Sequence, residues 1–475
     1  MHHRGRQLRR IMLAVVLGVL VLGWSVPAGA QTRESSPSVS TETSVSQLSP
    51  LAEPRPEPQD QLLTPSEPTP RGGVPLLRRF VPGLADFMKE LPPFLRDTSV
   101  NLHLRSFYFN RLNSDESQNE AWAFGGWLEY RSGWLLDTFR IGGVGYTSQP
   151  LYAPEDSPGT NLLHPPQDPI LTLGQLYAQF RYKEYALVTG YRQLVDEGYV
   201  NLHDTRMVPF TYEGVTIKGE LGRFGYNVGY LTALKQRQEE TFHDIAGVAG
   251  ARGSDAGLIL TRLSAEPIEG LDLYGANYYI KDVYNTAYAN VEFKHEIVKD
   301  LSLQIGVQFT DQRSVGDHLV GDFSTLSFGT RGGFLWRGLT AGAAIYTTDS
   351  GAALKTPFGS WPGYLSFQEK DFDRAGENAW GVGAKYDFGA GSLLPFNIPG
   401  LTVLLRYATG TDARNTGATH GALPRVTEGD LDITWNIPWV KGLQLRFRNA
   451  YVDDGGRDVP VKAFRIILNY DIPVL

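Results

Sequence analysis

From Thr98 to the C-terminus the chain alternates apolar and polar residues with period two, and no other feature restricts its fold as strongly. Within residues 99–109, Val100, Leu102, Leu104 and Tyr108 share one face, while Asn101, His103 and Arg105 share the other. Leu301, Leu303, Ile305, Val307 and Phe309 oppose Ser302, Gln304, Gly306 and Gln308. Phe464, Ile466, Leu468, Tyr470 and Ile472 oppose Arg465, Asn469 and Asp471. Successive side chains of a strand point to opposite faces, so each segment has one apolar and one polar face. Several runs exceed the roughly five or six residues of a soluble strand and reach the roughly nine to eleven that cross a bilayer. About eighteen such segments fit between Thr98 and Leu475, too many for one sandwich and enough to close around a lumen. The expected fold is all-β: a transmembrane antiparallel β-barrel over 98–475. Short connections (Ser132-Gly133, Lys183-Glu184) should alternate with long ones at 150–170 and 349–379.

Composition fits that reading. Aromatics make up 12% of the chain, and Trp122, Trp127, Tyr130, Trp134, Trp336, Trp380, Trp435 and Trp439 lie near expected strand ends, as interfacial girdles require. Mean hydropathy is negative, which suits a barrel because only alternate residues meet lipid. The absence of Cys excludes disulfides and thiol chemistry. A net charge of -7, with no basic run beyond the N-terminus, leaves no footprint for nucleic acid.

The N-terminal quarter differs from the rest. Residues 1–30 combine an Arg-rich start, an apolar run from Ile11 and a small-x-small site at Ala28-Gly29-Ala30, the order of a secretory signal peptide. Residues 31–74 are rich in Pro, Ser, Thr and Glu and contain no aromatic residue, so they read as a disordered periplasmic tail. In 75–97, Phe80, Leu84, Phe87 and Leu91 recur at helical spacing, which predicts a short helical segment ended by Pro92-Pro93. Its expected role is packing at the periplasmic mouth.

Several stretches resemble the OprD family of outer-membrane porins: residues 104–111 (LRSFYFNR), 206–211 (RMVPFT), 379–387, 398–402 with Arg406-Tyr407, 445–449 (LRFRN) and 464–470 (FRIILNY). The resemblance spans roughly 98–475 in order. It implies an eighteen-stranded barrel with an inward-folded third loop beginning near Arg206. It also implies a monomeric pore, free or in a loose trimer, that passes amino acids or small carboxylates. It further implies a ladder of basic residues down one wall, carried here by Arg111, Arg206, Arg446, Arg448 and Arg465. Two rungs are missing, at Thr434 and near Gln118.

Parity points to the same side chains. Arg446 and Arg448 lie opposite Leu443, Leu445 and Phe447; Arg465 lies opposite Phe464 and Ile466. Arg406 and Arg105 are inward by the same rule, and Lys385 is a further lumen candidate. Placing an Arg on the lipid face costs roughly 2–4 kcal/mol at midplane, so these residues should face the lumen. There they either form a solute path or pair with inward acids such as Glu292 and Asp471.

Nothing in the sequence calls for a cofactor. His164, His203 and His243 lack metal-ligand spacing, and Gly332-Gly333 lacks a phosphate-binding context. The carboxylates of 349–373 read as a solvated outer loop. The expected function is a substrate-selective porin for passive uptake of amino acids, peptides or small carboxylates, without enzymatic activity. Its partners would be outer-membrane lipid, lipopolysaccharide, small solutes and the barrel-assembly machinery. An enzymatic barrel would need a rim triad or paired carboxylates, and a structural or adhesive barrel would have a plugged lumen.

Overall fold

The computed structural model describes residues 75–80, 83–417 and 421–475; the expected leader (1–30) and tail (31–74) lie outside them. The helical segment forms three pieces: α1 (Leu76–Phe80), α2 (Leu84–Lys89) and α3 (Pro93–Arg96). One continuous apolar face is therefore not made. Gly83 takes a left-handed φ of 79° between the first two, and Pro93 starts α3 where the sequence reading has the helix end. Proline is well suited to a first helical turn, whose N–H has no intrahelical partner. Phe80 is 77% exposed. The segment is tethered by Leu77 N–H to Val474 O and by Gly133 N–H to Phe94 O, both 2.9 Å.

Eighteen strands follow. The first nine are β1 (Ser99–Leu112), β2 (Gln118–Arg131), β3 (Phe139–Tyr152), β4 (Ile170–Tyr182), β5 (Ala186–Gln193), β6 (Thr211–Leu221), β7 (Phe224–Lys235), β8 (Leu258–Ala265) and β9 (Leu271–Ile280). The rest are β10 (Tyr284–Val298), β11 (Leu301–Ser314), β12 (Ser324–Trp336), β13 (Leu339–Thr348), β14 (Asn378–Asp387), β15 (Leu401–Thr411), β16 (Val426–Asn436), β17 (Leu443–Asp453) and β18 (Val461–Pro473). A two-residue pairing, His243–Asp244, adds to the edge of β7. Each strand pairs antiparallel with its neighbours in sequence, and β1 pairs with β18 from Asn101↔Pro473 to Leu112↔Lys462. The sheet therefore closes on itself and leaves no free edge.

Burial alternates as the period-two pattern requires. In β11, Leu303, Ile305, Val307 and Phe309 are exposed, while Gln304, Gln308, Thr310 and Gln312 are buried. Exposed apolar and buried polar residues invert a soluble sheet; lipid is outside and a polar interior within. The inward face is less uniformly polar than the sequence reading has it. Phe107 and Phe109 of β1 are buried there beside Arg105. Trp127, expected in the outer girdle, is only 7% exposed and stacks on His103 at 3.6 Å. Trp122, Trp336, Trp380 and Trp439 are exposed, as a girdle needs.

Connections at the end bearing Ser99 and the C-terminus are mostly tight. In Arg337-Gly338 both residues take positive φ (48° and 87°), the geometry a two-residue hairpin needs to match strand twist. The alternation of short and long connections is not strict: 113–117 and 281–283 at the opposite end are short, and 388–400 at the terminal end is long. Two connections, 194–210 and 349–377, carry much of the buried apolar surface. Tyr199 lies 5.9 Å from Tyr278 of β9, and Trp361 meets Tyr346 of β13 edge-on at 4.7 Å.

Candidate functional site

Five consecutive strands, β15 to β18 and then β1, place their inward charges on one wall. Register sets the rows. Arg406 faces Asp430, Asp432 faces Arg448, Arg448 faces Arg465, and Arg465 faces Phe109. Like charges directly opposite on adjacent strands repel. Arg448 against Arg465 therefore needs acidic neighbours, and two carboxylates supply them.

Asp432 is the first. Its carboxylate receives a forked pair from Arg446, Nε at 2.9 Å and Nη2 at 2.6 Å. Arg448 Nε lies 2.9 Å from the same carboxylate but off the hydrogen-bonding direction, a charge contact without a formed bond. Glu369 is the second, and it comes from the connection 349–377. Arg465 Nη2 bonds its Oε1, and Arg111 Nη1 lies 3.3 Å from its Oε2. Each acid thus serves two guanidinium groups. Arg406 pairs with Asp430 at 2.6 Å, and Arg105 bonds Asp204 at 2.7 Å.

Glu369 is held in place by backbone geometry. Ser366 and Asp371 form an isolated β-bridge, and Phe367 N–H donates to Lys370 O at 3.0 Å, which makes a small hairpin. The N–H groups of Glu369 and Lys370 both donate to the Glu428 carboxylate of β16, at 2.9 and 2.8 Å. Gln368 completes the clasp, accepting from Arg465 Nη1 at 2.8 Å and donating to Asn449 O at 3.2 Å.

The expected rungs differ in access. Arg465 is only 1% exposed, and Arg448, Arg206, Arg406 and Arg105 are buried too. The side chains of Arg111 and Arg446 keep 28% and 18% exposure. Arg206 sits at the far end of connection 194–210, just before β6, and not where that connection begins. Its Nε donates to Thr160 O at 2.7 Å, and its guanidinium lies 4.8 Å from the Phe109 ring, whose other neighbour is Arg465 at 4.5 Å. Burial, then Arg237, pulls the Arg206 pKa well below its ordinary value. Lys385 has inward parity, two residues along β14 from Gly383, the partner of Arg406. Glu292 and Asp471 are paired, but with Arg331 and His103, not with the ladder residues.

The carboxylates of 349–373 are engaged with the protein: Asp349 stays exposed, whereas Glu369, Asp371 and Asp373 are partly buried. Asp349 accepts from Leu326 N–H at 2.7 Å and Asp371 from Ser366 Oγ at 2.6 Å. Among the described residues no acid–His group is arranged to hold a metal ion. The sequence reading missed Asp430 and Asp432, although alternation with Leu431 and Ile433 turns them inward by the same rule that located the Arg residues. It also missed Glu369 and Arg237, which lie in connections and carry no periodic signal.

The chain matches the family described as outer membrane porin, OprD family, over residues 92–474. Porin D of Pseudomonas aeruginosa is 25% identical over 439 residues, covering 81% of this chain and 93% of that protein. The crystal structure of Pseudomonas aeruginosa OccK9 (OpdG) matches with a TM-score of 0.72 at 25% identity, covering 80% of this chain and 100% of that one. A BenF-like porin from Pseudomonas fluorescens Pf-5 shares the fold, with a TM-score of 0.71 at 22% identity over 80% of this chain and 100% of that one.

Proposed function

The chain belongs to the OprD family of outer-membrane porins, integral to the Gram-negative outer membrane and serving substrate uptake, and from that premise we propose a passive channel selective for small solutes that carry a carboxylate. Amino acids, short peptides and small carboxylic acids are the class. Residues 1–30 would be the leader that exports the chain, and 31–74 a periplasmic tail.

The observation that carries the reading is the two-to-one stoichiometry at Asp432 and Glu369. With Asp430 and Glu428 counted, the wall still carries five guanidinium groups (Arg111, Arg406, Arg446, Arg448 and Arg465) against four carboxyl groups. At an effective dielectric of about 20, a unit charge about 4 Å away is worth roughly 4 kcal/mol, enough to favour an anion before desolvation is counted. Arg111 and Arg446 have the exposure needed to fork onto a passing carboxylate, in the bidentate manner a guanidinium permits. The buried Arg448 and Arg465 add field without direct contact. Two exposed contacts on one wall suit conduction, which needs binding favourable enough to enter and weak enough to leave.

Single-channel recording on refolded protein in planar bilayers tests this. Wild type should give stepwise currents with anion over cation preference. Replacing Arg446 and Arg448 with Ala leaves Asp432 without its cations and should shift the reversal potential toward cations. Unchanged reversal potentials in the double variant would sink the proposal.

A further inference from the structure

The segment 75–97 is laid along one sector of the barrel rim. Leu77 N–H donates to Val474 O beside the β1–β18 seam, and Phe94 O accepts from Gly133 N–H in the turn after β2. Both ends of the segment are pinned, so the residues that precede Pro75 reach the barrel at this sector.

The inward-facing charge of the sector is basic. Arg131 of β2 lies opposite Ser99 of β1 and shares the inward parity of Trp127 and Glu129. It makes no ion pair among the described residues. Arg140 of β3 faces Gln179 of β4 and donates Nε to its Oε1 at 2.6 Å. Arg181 of β4 faces the buried Leu187 of β5. The guanidinium groups of Arg140 and Arg181 lie 4.5 and 4.1 Å from the centre of the Trp134 ring, which gathers both on one aromatic residue. The nearby acids are few. Asp137 bonds Arg181, Asp97 is held by Arg96, and the buried Glu129 accepts from Asn101 at 3.0 Å.

Residues 53–67 carry the complementary charge: Glu53, Glu57, Asp60 and Glu67 stand against Arg55 alone. Pro54, Pro56, Pro58 and Pro65 fix φ, which lowers the entropy lost on docking, and Pro-rich chain suits an aromatic surface such as Trp134. Seven residues separate Glu67 from Pro75. A stretch of that length spans up to roughly 25 Å, whereas neighbouring strands lie about 4.7–4.9 Å apart. Arg131, Arg140 and Arg181, on three consecutive strands, are all within reach. We propose that residues 53–67 of this chain dock on Arg131, Arg140, Arg181 and Trp134 and partly close the periplasmic exit of the lumen. Tethering presents the stretch at roughly millimolar effective concentration, so individually weak, exposed charge contacts suffice for a transient closure. The inference rests on the channel reading, with 1–30 as leader and 31–74 as periplasmic tail.

The test records single channels from the refolded chain of residues 31–475 in planar bilayers. Wild type should show brief partial closures whose frequency falls roughly fivefold between about 0.1 and 1 M KCl, as the screening length drops from about 10 to 3 Å. Glu53→Gln/Glu57→Gln/Asp60→Asn/Glu67→Gln, which leaves the barrel untouched, should lose closures at low salt by a similar factor. Arg131→Gln/Arg181→Gln should do the same. Heat-dependent gel mobility verifies that this variant has closed its barrel, and Arg131→Gln alone serves if it has not. A synthetic peptide of residues 50–70, added to the tail variant at about millimolar concentration, should restore closures from one side of the bilayer only. Equal closure frequencies in wild type and the tail variant would overturn the inference. Closures that survive in the arginine variant, or peptide block from both sides, would overturn the site. Any of these results with stepwise current and anion preference intact leaves the channel reading standing. An exported protein whose N-terminus lies beyond Glu67 by mass would remove the inference alone, and absence of stepwise current would remove both.

Discussion

Arg331 and Glu292 show what a single side chain can cost inside this wall. Arg331 Nη2 lies 3.0 Å from Glu292 Oε1, with both side chains almost fully buried. The Tyr364 hydroxyl donates to the same carboxylate at 2.7 Å, and Gln304 donates to it at 3.3 Å. Removing one partner of a buried pair leaves an uncompensated charge and costs about 3–5 kcal/mol, more than the intact pair contributes. Glu292→Leu should therefore lower stability by that amount in a urea titration and leave the Tyr364 hydroxyl with Asn290 Oδ1 as its acceptor. The double variant Glu292→Leu/Arg331→Met should recover most of the loss. Equal losses in the single and double variants would contradict this account. Glu292 was read as inward from the sequence, but its partnership with Arg331 depends on strands β10 and β12, which are separated by β11 in the sheet.

At the scale of elements, the strands speak plainly and the helices do not. A membrane strand must keep one face in lipid along its whole length, so its residues repeat with period two regardless of neighbours. Ile305 on β11 is exposed to that medium while Gln304 beside it is buried. Ile305→Arg should lower refolding stability in vesicles by about 2–4 kcal/mol. A loss under 1 kcal/mol (roughly the interfacial value) would place Ile305 away from the midplane. The helical segment 75–97 lacked such a constraint. Four apolar residues at helical spacing were outweighed by Gly83 and by a proline pair that opens a helix as readily as it closes one. Trp127 was misjudged for a related reason: aromatic type suggested the girdle, whereas its parity with Gly125 and Glu129 decided an inward position.

The whole molecule is tied across its ring by connection 349–377. That segment bonds Gln312 of β11 through Lys355, Asn290 and Glu292 of β10 through Tyr364, Arg406 of β15 through Ser366, Glu428 of β16 through Glu369 and Lys370, and Arg465 of β18 through Gln368. Proton linkage acts on this tie. Burial raises the Asp371 carboxyl to about 6 and pushes Asp373 up as well. A carboxyl whose folded pKa is raised binds more protons folded than unfolded, so its contribution to stability falls as pH rises through about 6. Protection of 349–377 from a protease should thus be greater at pH 5 than at pH 7.5. Weaker protection at pH 5 would refute the assignment.

The sequence by itself determined the barrel, its extent, the inward parity of Arg105, Arg406, Arg446, Arg448 and Arg465, and the family. The family rests on the resemblance of particular stretches, and the rest follows from a local rule, because lipid on one side and polar interior on the other imprint a period on every strand. Only the tertiary structure decided which Arg residues share an acid and which keep partial exposure. Glu369 meets Arg111 across a separation of 258 residues. Its position is set by a hairpin clasped to β16, and a connection of that kind has no repeating contact with either medium to leave a pattern in the chain.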